Sequence, residues 1–197
     1  MRNAKEAIKN AAMRLFAVKG YAGCSIREIC ASAGVTKPVL YYHYHGKEQL
    51  YQELMLDIFN DTRKNLLRLQ KSEGSVRERL EHFVFSEFCD TKKDPSGVRL
   101  VFRMMFSPEE GYPYFNFIEE FLRERKIIAE CIRRDYSRAM EKGKAETSAT
   151  AVMGMMLILV LEYLFTEKHT LSRKNARNVI DLLLPDSNKI SKPIGQK

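Results

Sequence analysis

Residues 25–47 read SIREICASAGVTKPVLYYHYHGK and contain the starts of three successive helices. Ser25 followed by Glu28 is a capping box, in which each side chain bonds a backbone N–H of the first turn. Apolar residues then recur at helical spacing up to Gly34, which can adopt the left-handed conformation that ends a helix. Thr36 can cap the second helix. The stretch therefore predicts two short helices joined by a tight glycine turn.

Such a pair of helices is typical of a helix-turn-helix when the second helix has a polar, aromatic and basic outer face. Val39 and Leu40 can face inward, which leaves Lys37, Tyr41 and Tyr42 on the outside. A plain helical hairpin that binds no partner has the same local pattern. The spacing of this stretch alone leaves both interpretations open.

Residues 4–55 resemble the N-terminal domain of the tetracycline-repressor (TetR) family of bacterial transcription regulators. The matching residues, in the family's order and spacing, are Ala11, Ala12, Leu15, Phe16, Gly20, Tyr21, Ser25, Ile26, Arg27, Glu28, Ile29, Ala33, Gly34, Val35, Thr36, Lys37, Leu40, Tyr41, Tyr42, His43, Tyr44, Lys47, Glu48 and Leu50. This sequence departs from the family pattern at Cys30, where alanine is usual, and at Tyr44, where phenylalanine is usual. Gly46 replaces a serine or similar cap. None of these changes removes a role that the motif needs.

The distribution of charge favours contact between the N-terminal region and phosphates. The 197-residue chain has a formal net charge of +8, and residues 1–50, with eight Lys or Arg and three Asp or Glu, hold +5 of it. Nucleic acids attract such a basic excess, although an ordinary solvated surface would have the same composition. With 45% hydrophobic residues, the chain is expected to fold as a globular protein.

The sequence contains no motif typical of an enzyme, a metal site or a cofactor site. The four cysteines show no paired spacing, which fits free thiols in a reducing bacterial cytoplasm, where we expect the protein to associate with the nucleoid. His43 and His45 have no neighbouring cluster of other metal ligands. No Ser/His/acid order, paired acidic motif or phosphate loop is present. We therefore expect no catalysis, no cofactor and no metal.

Helical periodicity continues along the whole chain and predicts an all-α fold of about nine helices. Outside the motif, the predicted helices span 3–19, 47–71, 75–90, 97–106, 114–142, 146–167 and 172–184. We interpret residues 1–46 as a three-helix DNA-binding domain, with the helix-turn-helix motif at about 25–44. Residues 47–185 are interpreted as a helical ligand-binding and dimerisation domain, and 186–197 as a flexible tail.

The resemblance implies that the second helix of the motif enters the major groove of a palindromic operator. The residue chemistry agrees, because Lys37 can reach a phosphate or guanine, Tyr41 offers apolar surface to a thymine methyl, and Lys47 can clamp the backbone. Leu40 and Tyr44 are expected in the domain core. The candidate DNA contacts are Arg27, Thr36, Lys37, Pro38, Tyr41, Tyr42, His43 and Lys47.

One helix-turn-helix buries too little surface for strong specificity, so we expect a homodimer that reads two half-sites. The uncharged run Thr147–Leu161 is shorter than the roughly 20 residues that span a bilayer, and a buried or interface helix is expected instead of a membrane partner. In the resembled family the last two helices form the dimer contact. The candidate interface residues are Val152, Met153, Met156, Leu157, Val160, Leu161, Leu164, Val179, Ile180 and Leu183, some of which can also serve as core.

The resemblance also implies a pocket for a small-molecule effector inside the C-terminal helices. Phe and Met at helical spacing suit an adaptable apolar lining, but they suit plain core equally well. Glu87, Arg103 and Glu162 leave the charge of the effector open. The candidate pocket residues are Phe83, Phe88, Phe102, Met105, Phe106, Phe117, Phe121 and Met155, with Met104 nearby.

These features predict a ligand-responsive repressor that binds its operator as a dimer and is released by a small, largely apolar molecule. A transcriptional activator of the same fold is one alternative. A sequence-independent architectural DNA-binding protein is another, since it would share the basic charge but have no preferred site.

Overall fold

The computed structural model describes residues 2–106, 113–136, 143–166 and 168–184. These residues form helices and connecting turns with no strand, which confirms the all-α prediction. The helices are α1 (Arg2–Lys19), α2 (Ile26–Ala33), α3 (Lys37–His43), α4 (Lys47–Lys71), α5 (Val76–Lys93), α6 (Ser96–Phe106), α7 (Phe117–Tyr136), α8 (Lys144–Thr166) and α9 (Arg173–Leu183). The predicted end of helix seven at 142 and the predicted tail 186–197 lie outside the described residues.

The predicted capping box opens α2. The Glu28 backbone N–H donates to Ser25 Oγ at 3.2 Å, and the Ser25 N–H donates to the Glu28 carboxylate at 2.8 Å. Lys19 Nζ lies 2.5 Å from Glu28 Oε1, and this hydrogen bond, together with those from Ser25, lowers the pKa of Glu28 to about 2. The carboxylate therefore stays ionised, and the cap stays intact, throughout the physiological pH range.

The turn between α2 and α3 depends on Gly34, which has φ 66° and ψ 32°. This is the left-handed conformation predicted from the sequence, and it lets the Val35 N–H donate to the Cys30 carbonyl at 3.0 Å. Cys30 itself is 5% exposed, so a small side chain is buried where the chain turns back. The geometry of the turn thus fixes the direction in which α3 leaves α2.

By packing, the chain divides into two compact units. The first comprises Met1–Asp61 and Asp94–Asn116, and the second comprises Thr62–Lys93 and Phe117–Lys197. The functional division that the sequence suggested at residue 46 remains a proposal. The packing division falls inside α4 and assigns α6 to the first unit, together with α1, α2 and α3.

Aromatic packing forms the centre of the first unit. Phe16 and Tyr51 are fully buried, and the Tyr21 ring packs against both, with centroids 5.8 Å and 5.1 Å away. Tyr21 therefore folds back onto the core of this unit. At the end of α1, Arg103 of α6 donates to the Val18 carbonyl at 2.8 Å, where the last carbonyls of a helix have no partner within the helix.

Arg79 on α5 links α4 and α7 of the second unit through polar contacts. Its side chain is 2% exposed, and it donates to the Leu69 carbonyl of α4 at 3.1 Å and to both carboxylate oxygens of Asp135 on α7. Asp135 also accepts the Val76 N–H at the start of α5, at 2.8 Å. A buried charge needs such a matched partner, and this one joins three helices.

We predict that Gly34→Ala lowers the free energy of unfolding by about 1 kcal/mol, because a Cβ is strained at positive φ. No atom lies within 4 Å of a Cβ built at this position, so the loss is conformational and not a clash. Urea denaturation measures it. Gly46→Ser is the matched control, which should gain roughly a few tenths of a kcal/mol as a better cap for α4. Equal stability of Gly34→Ala and the parent would contradict the account of the turn.

Candidate DNA interface and effector region

The outer face of α3 combines one basic and several aromatic or apolar side chains. Lys37 and Pro38 are exposed on the first turn, and Tyr41 and Tyr42 follow on the next, 50% and 71% exposed. On the opposite side, Leu40 is fully buried and Tyr44 is 1% exposed, so their predicted place in the core is confirmed. Few residues of α3 are therefore buried, and Tyr41 and Tyr42 are exposed to solvent.

The neighbouring candidates have three different environments. Arg27 on α2 is exposed, and neither Arg27 nor Lys37 forms a hydrogen bond or ion pair within the described ranges. Thr36 is exposed, and its hydroxyl makes no cap hydrogen bond. His43 is half-buried, with its ring edge-on to Tyr42 at 5.0 Å. The first three side chains can meet a nucleic acid without breaking an existing contact, whereas His43 also packs the motif.

Lys47 differs from the other candidates because its ammonium is already engaged. Nζ donates to the Tyr21 and Cys24 carbonyls, both at 2.9 Å, and lies 4.1 Å from the centroid of the Tyr21 ring. These contacts fasten the loop between α1 and α2 to the start of α4. An ammonium has three donors, so one N–H remains for a phosphate. This structural role of Lys47 could not be predicted from its neighbours in the chain.

The two sides of α8 are both apolar but differ in exposure. Ala149, Val152 and Val160 are buried within the chain, whereas Ile158 is 62% and Phe165 82% exposed. By length and composition α8 could cross a membrane, and 17% of its most apolar window is buried. Leu182 of α9 is 73% exposed. Because α8 is apolar all round, periodicity could not tell its inner side from its outer side.

The candidate interface residues divide accordingly. Those buried within the chain are Val152, Val160, Val179 and Ile180, and those half-buried are Met153, Met156, Leu157, Leu161, Leu164 and Leu183. Sequence reasoning missed Ile158, Phe165 and Leu182, which are the most exposed apolar residues on these two helices. An interface built on α8 and α9 would use these three together with the half-buried set.

The candidate pocket residues do not all belong to one unit. Phe102, Met105 and Phe106 lie in the first unit, and Phe83, Phe88, Phe117, Phe121 and Met155 lie in the second. Phe88 is fully buried, whereas Phe106 is 65% exposed. Within the second unit, Phe117 and Phe121 meet edge-to-face at 6.3 Å.

A groove of about 740 Å³ is present in the second unit. Of the candidate pocket residues only Phe83 lines it, beside polar and charged groups that include Asn65, Arg68, His82 and Arg173. Glu81 in its wall accepts from Arg173 and Arg177, each with a shortest distance of 3.0 Å. The groove is thus more polar than the apolar cavity expected from the sequence.

A second polar feature of this unit surrounds Glu124 on α7, which is 8% exposed. Its neighbours are bonded: Glu120 pairs with Arg63, and Glu87 accepts from Thr62 at 3.2 Å and from Asn65 at 2.8 Å. Glu124 makes no hydrogen bond or ion pair with any residue that the structure describes. Burial raises its pKa to about 8, with repulsion from Glu87 and then Glu120 acting in the same direction.

The sequence contained an unused signal for Glu124. It lies four residues before Ile128, which is fully buried, and eight before Ile132, which is also fully buried. A carboxylate in an apolar register of an amphipathic helix marks a buried charge that needs an explanation. The signal was masked because α7 carries many other Glu and Arg residues in its exposed positions.

The fold and the outward face of α3 define a helix-turn-helix protein of the DNA-binding type. Residues 8–54 match the description "Bacterial regulatory proteins, tetR family". This similarity covers the region from α1 to the start of α4.

One relative of known sequence is the biofilm operon icaADBC HTH-type negative transcriptional regulator IcaR of Staphylococcus epidermidis. It is 32% identical over 105 residues, which are 53% of this chain and 55% of the relative. The Staphylococcus aureus (strain Newman) protein of the same name is 26% identical over 106 residues, or 54% of this chain and 56% of the relative. The chain thus spans little more than half the length of these relatives.

Solved structures share the fold over nearly the whole chain. A transcriptional regulator (TerR/AcrR family) from Aquifex aeolicus VF5 aligns with a TM-score of 0.74 at 20% identity, over 92% of this chain and 99% of that one. A gamma-butyrolactone receptor (ArpA-like protein) aligns with a TM-score of 0.64 at 21% identity, over 92% and 96%. At these identities the similarity establishes the architecture alone.

We predict that Lys47→Met lowers the free energy of unfolding by about 1–3 kcal/mol, since two hydrogen bonds and a cation–π contact are lost while the aliphatic stem is kept. Lys37→Met is the matched control on an exposed lysine and should change stability little. Urea denaturation followed by circular dichroism compares the two. If both variants unfold at the same urea concentration as the parent, the Lys47 contacts do not stabilise the first unit.

Proposed function

We propose that the protein is a homodimeric transcriptional repressor that binds a palindromic operator in the bacterial cytoplasm and is released by a small-molecule effector. The observation that carries this proposal is the exposed face of α3. Lys37, Tyr41 and Tyr42 project from a helix anchored by buried Leu40, and the Arg27 side chain on α2 is exposed nearby in the sequence. This set offers cationic donors, hydroxyls and apolar surface, which are the groups that read the major groove.

Repression is favoured over activation by the named relatives, which are negative transcriptional regulators. The similarity to these relatives lies in the aligned 105 residues, about half of this chain. The alternative function, a protein that coats DNA irrespective of sequence, predicts no preferred binding site. Selection of bound duplexes from a random pool separates them, because a repressor of this type enriches one palindrome and a coating protein enriches none.

We propose that a second copy of the chain packs against the outer side of α8. The exposed Ile158 and Phe165 lie seven residues apart on the same side of the helix, and Gly154 lies one turn before Ile158. No atom lies within 4 Å of a Cβ built at Gly154, so another backbone could approach closely there. Leu182 of α9 adds an exposed apolar side chain. Two-fold pairing of these helices would hold two α3 helices for two half-sites.

Effector binding is proposed for the second unit, which contains both the polar groove and the buried polar cluster. α4 runs from the first unit into the second, so a change in the direction of α4 caused by an effector would be transmitted to the helix-turn-helix. Binding releases the operator only if the effector prefers one arrangement of the chain over the other. We propose that the preferred arrangement alters the separation of the two α3 helices.

We predict that Lys37→Met and Lys47→Met each reduce the slope of log Kd against log salt concentration by about 1, because each removes one phosphate contact. Lys37→Met should also reduce the ratio of affinities for selected and random duplexes by roughly tenfold or more, through lost base contacts. Fluorescence anisotropy with both duplexes at several salt concentrations measures both effects. An unchanged slope for Lys47→Met would leave its ammonium with the structural role alone, and an unchanged ratio for Lys37→Met would remove it from base reading.

We predict that Ile158→Glu and Phe165→Glu each weaken dimerisation roughly 100-fold or more, since two-fold symmetry buries each charge twice. Sedimentation velocity over a concentration series measures the dissociation constant. Val18→Glu is the matched control, because Val18 is 72% exposed on α1, outside the proposed interface. A parent protein that sediments as a monomer at micromolar concentration would contradict the dimer, and dimers unaffected by both variants would place the interface elsewhere.

A further inference from the structure

The groove of the second unit lies between the C-terminal part of α4, α5 and α9. Its volume of about 740 Å³ falls within the roughly 300–1,000 Å³ of pockets that bind small molecules. The described parts of α7 and α8 contribute no lining residue. The groove is therefore separate from the apolar interior that the sequence suggested for an effector.

The lining of the groove includes a buried donor that has no partner. Arg79 belongs to the lining, and its side chain is 2% exposed. Two of its nitrogens bond the Leu69 carbonyl and the Asp135 carboxylate, but its Nε–H has no hydrogen-bond partner among the described residues. Native proteins satisfy nearly all buried donors. An acceptor oxygen from outside the chain, or a water molecule held by it, would complete the hydrogen bonds of this guanidinium.

Two further guanidiniums of the lining are exposed and have free N–H groups. Arg68 on α4 donates to Asn65 Oδ1 at 2.7 Å and forms no ion pair with any residue that the structure describes. Arg173 on α9 donates to Glu81 Oε1 at 3.0 Å, and the centre of its guanidinium lies 5.7 Å from the centroid of the Phe85 ring. Each guanidinium has five N–H donors, in a planar arrangement that matches the oxygens of a carboxylate or phosphate.

The carboxylates of the lining restrict where an anion could bind. Glu81 also accepts from Arg177, at 3.0 Å, so two guanidiniums share this one carboxylate. Glu78 caps α5 by accepting the Ser75 N–H at 3.0 Å, and Glu73 lies in the loop between α4 and α5. Glu73 and Glu78 thus give the loop end of the groove a negative charge, which repels anions.

The cationic part of the groove lies away from that loop. The Arg68 guanidinium is directed back along α4 to Asn65, and Ser86 Oγ of α5 lies 3.4 Å from the same Asn65 oxygen. Asn65 Nδ2 donates to Glu87 and Asp90, which are not part of the lining. An anion in this part of the groove would therefore meet guanidinium and hydroxyl donors, with α4 on one side and α9 on the other.

We propose that the groove between α4, α5 and α9 binds a small organic oxyanion, a carboxylate or phosphate on an apolar body, through Arg68 and Arg173. Phe83 and Phe85 are lining residues that offer aromatic surface to the apolar body. The proposal rests on the proposed function, because it identifies this anion as the effector. It adds the chemical class of the effector and the guanidiniums that recognise it.

An anion bound by both arginines would link two helices that these side chains do not connect in the free protein. Among the described residues, Arg68 bonds within α4, whereas Arg173 bonds Glu81 and His82 on α5. α4 continues to the helix-turn-helix, and α9 carries Leu182 of the proposed dimer interface. Joining α4 to α9 through the anion would favour one direction of α4, which is the differential contact that an effector requires.

The test is calorimetric titration of the full-length protein with 1-naphthoate, 1-naphthyl phosphate and the neutral 1-naphthylmethanol. At least one anion should bind the parent about tenfold or more tightly than the neutral compound, and the tighter anion identifies the preferred oxyanion. Arg68→Gln and Arg173→Gln should each raise the Kd of that anion about tenfold or more. Lys174→Gln is the matched control, because it removes the same charge from an exposed position on α9 outside the groove and should match the parent.

Two results would overturn the proposal. One is that neither anion binds the parent more tightly than 1-naphthylmethanol does. The other is that Arg68→Gln and Arg173→Gln both bind the anion as tightly as Lys174→Gln. Far-ultraviolet circular dichroism and urea denaturation check that the variants fold, which is expected because both arginines are exposed. Arg79 is left unchanged, since it also joins three helices.

Operator binding is measured separately, so that the two hypotheses fail differently. An anion that binds through Arg68 and Arg173 without releasing the selected operator duplex would contradict its role as the effector and leave the anion site standing. A protein that binds the operator but shows no preference for the anions would contradict the site alone. Release of the operator by the anion from the parent, but not from Arg68→Gln at the same concentration, would support both.

Discussion

The left-handed turn at Gly34 sets the direction of α3 and therefore the surface that is proposed to bind DNA. α3 is short and buries little beyond Leu40, so packing alone fixes its direction weakly. The turn supplies that direction, because a φ of 66° brings the Val35 N–H to the Cys30 carbonyl and ends α2 abruptly. With α3 held in this way, Lys37 and Tyr42 are directed to solvent.

The first unit is reinforced from both ends of the motif. Lys47 ties the α1–α2 loop to α4, and Arg103 of α6 caps the end of α1. α6 is therefore part of the same packing unit as the helix-turn-helix, although it is distant in sequence. The chain passes between units within α4, between α5 and α6, and before α7.

Two buried ionisable side chains of the second unit, Arg79 and Glu124, have different environments. Arg79 donates to the Leu69 carbonyl and to the Asp135 carboxylate and so joins three helices, although its Nε has no partner among the described residues. Glu124 has no such partners, and its raised pKa reflects burial beside like charges. Arg79 therefore stabilises the packing of three helices, whereas Glu124 makes no such contact among the described residues. Burial of a polar side chain is informative only when its partners are known.

The local features could be predicted from the amino-acid sequence, namely the capping box, the glycine turn, the helix order, and the buried Leu40 and Tyr44. These depend on spacing and backbone preference over a few residues, which a single chain records directly. Long-range packing was needed to show which side of α8 is covered, that Lys47 bonds two carbonyls, that α6 joins the first unit and that Glu124 is buried without a hydrogen-bond partner among the described residues. Each of these depends on residues far apart in the chain, and a helix that is apolar all round, or a lysine beside a turn, has the same local sequence whichever neighbour it meets.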